Sequence, residues 1–241
     1  MRSFLIYFSL FSLVLFGAFS VASKTIPEER IILTEKNMVQ LKGEINEITA
    51  GKVIGDILNI RKTNADGKIY LVIDSPGGEV DAGLQLIDFL DTQSNIIPIA
   101  IKAASMASAI LESMQERLII AGSTLMFHRA AGQFSGYFSD GEVESHLAYA
   151  KKMILKMEKQ NAKRLQLTLE EYRKQVTAEL WMYGEEAIEK HAADRIVKPV
   201  CDANLMSKTI QEDRQGLFGS AIIVWSACPL ITLPLSVTQG H

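Results

Sequence analysis

With 241 residues, the chain is long enough for a sizeable core in one large domain or two small ones. Its 25 basic and 28 acidic residues leave a net charge of -3 with no long like-charged block, which argues against a nucleic-acid arm or any polyanion partner. Two cysteines, Cys201 and Cys228, lack the spacing of a zinc or redox motif, and no phosphate-binding loop occurs, so no metal or other cofactor is expected.

The chain opens with Arg2, an apolar run over 4–19 and the small residues Val21, Ala22 and Ser23. That pattern predicts a signal peptide or membrane anchor over 1–23, and hence an exported protein that is periplasmic, secreted or membrane-anchored. In such a compartment Cys201 and Cys228 could pair as a disulfide, although sequence cannot measure their separation. After an irregular stretch with a short strand at 31–33, apolar residues at helical spacing predict a helix over 44–60. The turn Asn64-Ala-Asp-Gly67 leads into a continuous apolar strand over 68–74, buried on both faces. Ser75-Pro-Gly-Gly78, a helix over 80–90 and a second buried strand over 96–101 complete a βαβ unit, which requires parallel pairing.

The alternation continues with a short helix over 105–114 and strands over 117–121 and 125–128, as in an α/β domain with a mainly parallel sheet. Ser139-Asp-Gly-Glu142 has capping-box spacing and opens a long helix whose apolar residues Val143, Leu147, Ala150, Ile154 and Met157 form one narrow stripe. A stripe that narrow suits a neighbouring helix or another subunit. A second capping box at 168–171 and a short helix over 184–190 follow. The tail over 216–237 is apolar but contains Pro229 and Pro234, which disfavours a straight membrane helix. It could cover a hydrophobic surface, attach to the membrane edge or be poorly ordered. The predicted division is 1–23 leader, 24–205 catalytic domain and 206–241 extension.

Three stretches at strand ends carry chemistry. The Ser-Pro-Gly-Gly turn exposes consecutive backbone N–H groups, although alone it is also an ordinary tight turn. Ser105 sits among small residues, Lys102-Ala-Ala-Ser-Met-Ala-Ser-Ala109, at a strand-to-helix junction where the Met106 N–H could help to hold an oxyanion. Taken singly, Ser105 reads as a helix N-cap. His128 closes an apolar strand 23 residues later, 128 − 105 = 23. A histidine within hydrogen-bond reach of a serine, itself oriented by a carboxylate, is the usual way to activate the hydroxyl.

The succession Ile73-Asp-Ser-Pro-Gly-Gly78, Ala103-Ala-Ser-Met106 and Met126-Phe-His128 resembles the proteolytic subunit of the Clp peptidase family in order and spacing, over about 30–199. The resemblance implies a crotonase-like α/β fold of repeated ββα units with a mainly parallel sheet and a protruding long handle helix. It further implies a serine endopeptidase with Ser105 as nucleophile, His128 as general base, and the Gly78 and Met106 N–H groups as oxyanion donors. Peptide or unfolded-protein substrates and homo-oligomeric rings are implied as well. Where the family carries its catalytic aspartate, this chain has Glu179, with Asp194 in reserve. Export argues against an ATP-driven unfoldase partner and for ATP-independent cleavage. Competing readings are a membrane-associated protease with a Ser105–Lys102 dyad, an acyl-CoA hydratase-like enzyme, from which the serine motif argues away, and an inactive ring-forming scaffold.

Overall fold

The structure, a computed structural model, describes residues 29–130, 139–216 and 219–239; the predicted leader over 1–23 lies outside them. From the amino end the chain forms β1 (Glu29–Leu33), β2 (Met38–Lys42), α1 (Glu47–Arg61), β3 (Ile69–Ser75), α2 (Val80–Asp91) and β4 (Ile96–Ala104). There follow α3 (Met106–Ser113), β5 (Leu118–Phe127), α4 (Asp140–Arg164), α5 (Leu169–Gln175), β6 (Leu180–Tyr183), α6 (Glu185–Glu189), β7 (Arg195–Cys201) and α7 (Ala203–Ser207). The extension contributes β8 (Thr209–Gly216), β9 (Gly219–Ser226) and β10 (Ser236–Gln239).

The main sheet runs β1-β7-β5-β4-β3-β2 with parallel pairing throughout, and β6 adds antiparallel to β5. β3 shows why the sheet lies in the middle. Ile69, Leu71 and Ile73 enter one core with α1, α2 and α3, while Val72 enters a second core on the opposite face. A continuous apolar strand is what two covered faces require. The predicted strands over 117–121 and 125–128 are one strand. Gly122-Ser123 interrupts the apolar run, but the Ser123 hydroxyl accepts from the Ile120 N–H at 2.9 Å and donates to the Ala100 carbonyl at 2.6 Å, carrying the chain through.

The capping boxes stand as predicted. Ser139 and Glu142 open α4, and Thr168 and Glu171 open α5, each pair exchanging side-chain and backbone bonds. Along the amino-terminal half of α4, Val143, Leu147 and Tyr149 are exposed, with the Tyr149 hydroxyl donating to Asp81 of α2 at 3.2 Å, whereas Met153 and Met157 pack against the helical core.

Of the three roles open to the tail, the structure supports the covering one. β8, β9 and β10 form a separate antiparallel sheet in the order β10-β9-β8. Ala227, Cys228, Leu230 and Ile231 pack on the second core, against Ile31, Val72, Ile99, Leu118 and Val197. A Cys201–Cys228 disulfide, with Cα atoms 5.9 Å apart, ties this segment to the end of β7. The Lys42 ammonium also lies 3.6 Å from the centre of the Trp225 ring, joining β2 to β9. Among the described residues, no helix is long and apolar enough to cross a membrane.

Candidate active site

Parallel pairing brings the ends of β3, β4 and β5 side by side, so the three short motifs meet at one edge of the sheet. After β3 the chain turns back on itself at Gly77 (φ 97°) and Gly78 (φ 152°), and the buried Ser75 hydroxyl accepts from the Gly77 N–H at 3.1 Å. Ile45 clamps the turn: its N–H donates to the Gly77 carbonyl at 2.8 Å, and its carbonyl accepts from the Glu79 N–H at 2.8 Å. Both glycines are required by space. A Cβ on Gly78 would overlap the Ile45 carbonyl oxygen, and one on Gly77 would stand 2.7 Å from the Ser105 Cβ. Among the described residues the Gly78 N–H has no partner, so it remains available to a substrate.

Ser105 follows β4 with φ 56° and ψ -121°, a left-handed conformation that costs a side-chain-bearing residue roughly 1–3 kcal/mol and persists only where the surroundings enforce it. The Ser105 N–H donates to the Met126 carbonyl at 2.9 Å. Ser105 makes no side-chain cap on α3, so the N-cap explanation of this serine fails. Its Oγ lies instead 2.6 Å from His128 Nε2. Met106 is the first residue of α3, so its N–H is one of the helix's orphan donors, beside Ser105 and close to the glycine turn. A hydroxyl bonded to an imidazole, with two unused backbone donors nearby, can attack a carbonyl and hold the resulting oxyanion.

Glu179 and Asp194 lie in different surroundings. Glu179 is exposed, and its Oε2 accepts from the Trp181 indole Nε1 at 2.8 Å; His128 is bonded to Ser105 alone among the described residues. Asp194 is engaged elsewhere, which removes it as a reserve triad member. Its Oδ2 accepts from the Arg117 backbone N–H at 2.8 Å, and its Oδ1 pairs with Arg117 Nη2 at 2.5 Å. Arg117 also bonds the buried Glu112 at 2.6 Å, and Arg164 stands 3.8 Å from both carboxylates. Partial burial works to raise the Asp194 pKa, but the hydrogen bonds and charge of Arg117 outweigh it and hold the carboxyl below its usual range. Burial pushes Glu112 up to about 8 against the pull of Arg117 and Arg164. Lys102 acts electrostatically on Asp74, and Ser105 Oγ is committed to His128, so the geometry does not favour the lysine dyad.

Beside Ser105 and His128 opens a small pocket of about 70 Å³, with Val80, Met106, Phe127, Ile154 and Met157 among its walls and Glu158, Asn161 and Tyr172 among its polar groups. The sequence reading missed Asn161. The signal was present: the stripe 143, 147, 150, 154, 157 continues at 161, where an asparagine breaks it. Among the described residues, no group of three or more His, Cys, Asp or Glu is arranged to hold a metal ion. The family model described as Clp protease matches residues 25–200.

Proposed function

The chain belongs to the Clp protease family and is a serine peptidase; we propose that it cuts peptide bonds through an acyl-enzyme formed on Ser105, with His128 as general base. The observation that carries this reading is the 2.6 Å contact between Ser105 Oγ and His128 Nε2, on a serine held in left-handed backbone. Attack of Oγ on the peptide carbonyl carbon passes the hydroxyl proton to Nε2. The carbonyl electron pair becomes an oxyanion held by the Gly78 and Met106 N–H groups. Collapse breaks the carbon–nitrogen bond, and His128 returns the proton to the leaving amine. Water then attacks the Ser105 ester, with His128 again taking and returning a proton, and the acid product leaves.

Glu179 is the carboxylate we assign to orient His128. Its place at the end next to β6, and the antiparallel pairing of that strand with β5, support the assignment. Peptides and unfolded segments are the substrates. Rings are the assembled form, supported by the family and by the exposed apolar residues along α4. Export and ATP-independent cleavage are supported by the apolar leader and by a disulfide of the kind oxidising compartments maintain. A catalytically silent scaffold is the second reading, and the observation in its favour is that Trp181 occupies the Glu179 carboxylate.

The test is labelling of the purified full chain by a fluorophosphonate probe, compared with Ser105→Ala and His128→Ala. Labelling that disappears in both variants is the expected result. A folded, assembled protein that takes no label would leave the scaffold reading standing.

A further inference from the structure

Ser108, in the first turn of α3, bonds to the carbonyl of the nucleophilic residue itself. We propose that its hydroxyl is a positioning group: by holding the Ser105 carbonyl, it aims the Met106 N–H at the oxyanion. The proposal rests on the peptidase reading above and adds to it a residue that acts through a backbone donor.

The Ser105 carbonyl and the Met106 N–H belong to one peptide unit, which is planar and trans, so the two point in opposite directions. Whatever fixes the carbonyl also fixes the donor. Three groups reach that carbonyl: the Ser108 hydroxyl at 2.6 Å, the Ser108 N–H at 3.1 Å and the Ala109 N–H at 3.3 Å. N–H donors usually stand about 2.7–3.2 Å from their acceptors, so the two backbone bonds lie near or past the long end, whereas the hydroxyl bond is short even for an O–H donor. The hydroxyl is the firm contact. Ser108 is 1% exposed, so the bond is shielded from water, and a carbonyl that accepts such a bond polarises its own peptide and strengthens the N–H on the other side.

Ser105 needs this hold. Its φ of 56° is a costly backbone state that persists only where the surroundings enforce it. The peptide before it is pinned by the bond from the Ser105 N–H to the Met126 carbonyl at 2.9 Å. The peptide after it, which carries the Met106 donor, is pinned by Ser108. A serine that bonds back to the carbonyl three residues earlier is common in helices, and α3 does so twice. Ser113 Oγ donates to the Ile110 carbonyl at 2.7 Å, at the opposite end of the helix from Ser105. That bond holds a peptide with no part in the site, which makes Ser113 the control for Ser108.

The experiment follows fluorophosphonate labelling of the full chain over time, which separates the probe's binding constant KI from the limiting rate kinact. The native protein, Ser108→Ala and Ser113→Ala are compared, each with a thermal melt. The phosphoryl oxygen gains charge as Ser105 attacks, so kinact reports the aim of the oxyanion donors and KI does not. Ser108→Ala is expected to lower kinact about tenfold at unchanged KI, less than the roughly 100-fold or more lost with a whole donor. Ser113→Ala is expected to keep the native kinact while lowering Tm about as much. Should Ser108→Ala fail to fold, Ser108→Cys keeps the bulk and weakens the donor, and its kinact is expected to fall in the same direction. Native kinact in a folded Ser108 variant, or an equal fall in Ser113→Ala, overturns the positioning role and leaves the peptidase reading intact. A folded native chain that takes no label overturns both.

Discussion

Trp181 Nε1 donates to Glu179 Oε2 at 2.8 Å, two residues back along the chain and just ahead of β6. β5 and β6 pair Met126 with Trp181 and Phe127 with Leu180, where the ladder ends; His128 directly follows β5 and Glu179 directly precedes β6. The Glu179 carboxylate accepts from the indole, so its proposed role in orienting His128 requires it to exchange this partner for the imidazole. Trp181→Phe removes the competing donor and is expected to raise kcat several-fold. Glu179→Gln is expected to lower kcat by about 10²–10⁴, as loss of the orienting carboxylate does in other serine peptidases. Full activity in Glu179→Gln would place the orienting group elsewhere.

Gly78 lies against the Ile45 carbonyl, and its N–H, without a partner among the described residues, is one of the two oxyanion donors proposed above. Gly78→Ala forces the turn away from the Ile45 carbonyl and carries the donor with it. Peptide cleavage should fall by about 100-fold or more, the usual cost of losing one oxyanion donor. The measurement is kcat together with a thermal melt. A variant that keeps native activity would show that the Gly78 N–H takes no part.

Glu112 should make stability depend on pH between about 5 and 8. Its folded pKa, pushed up to about 8 by burial, lies above its ordinary 4.5. The folded state therefore holds a proton that the unfolded chain releases, and stability falls as pH rises through this window. Asp194, held below its ordinary range, acts only at more acid pH. The urea midpoint is expected to drop from pH 5 to pH 8, and Glu112→Gln to flatten that slope. Equal slopes in the two proteins would show that Glu112 is charged throughout.

The Cys201–Cys228 bond closes a loop spanning a sequence separation of 27. The chain-entropy relation for a loop of that size gives a stabilisation of about 3.5 kcal/mol. Reduction, or the Cys201→Ser/Cys228→Ser double variant, should lower Tm and release the extension to added protease before the main domain is cut. Simultaneous loss of both parts would mean that the extension and the domain unfold as one unit.

The site was legible in the sequence because its parts are local: a glycine turn, a serine among small residues and a histidine each ending an apolar strand. The structure adds the positive φ of Ser105 and its bond to His128, which no spacing reveals. β2, β6 and β7 went unread. β2 alternates half-buried residues with Val39 and Leu41, and β6 has four residues of which only Met182 is buried, so neither shows a long apolar run. The extension was opaque for a different reason. Its strands are defined by pairing with one another and by contact with a sheet face assembled from β1, β3, β4, β5 and β7, which are distant in sequence.

That covered face affects how the molecule can associate. The family match ends at residue 200, and Cys201 is the next residue, so the added segment is anchored where the shared part stops. Without that segment, the sheet face around Val72, Ile99, Leu118 and Val197 would lose the apolar cover given by Ala227, Cys228, Leu230 and Ile231. The chain carries its own lid over this face. A neighbour seeking greasy surface meets the flank of α4, where Val143, Leu147 and Tyr149 stand open, and any visitor to the sealed side must first displace a covalently tethered flap.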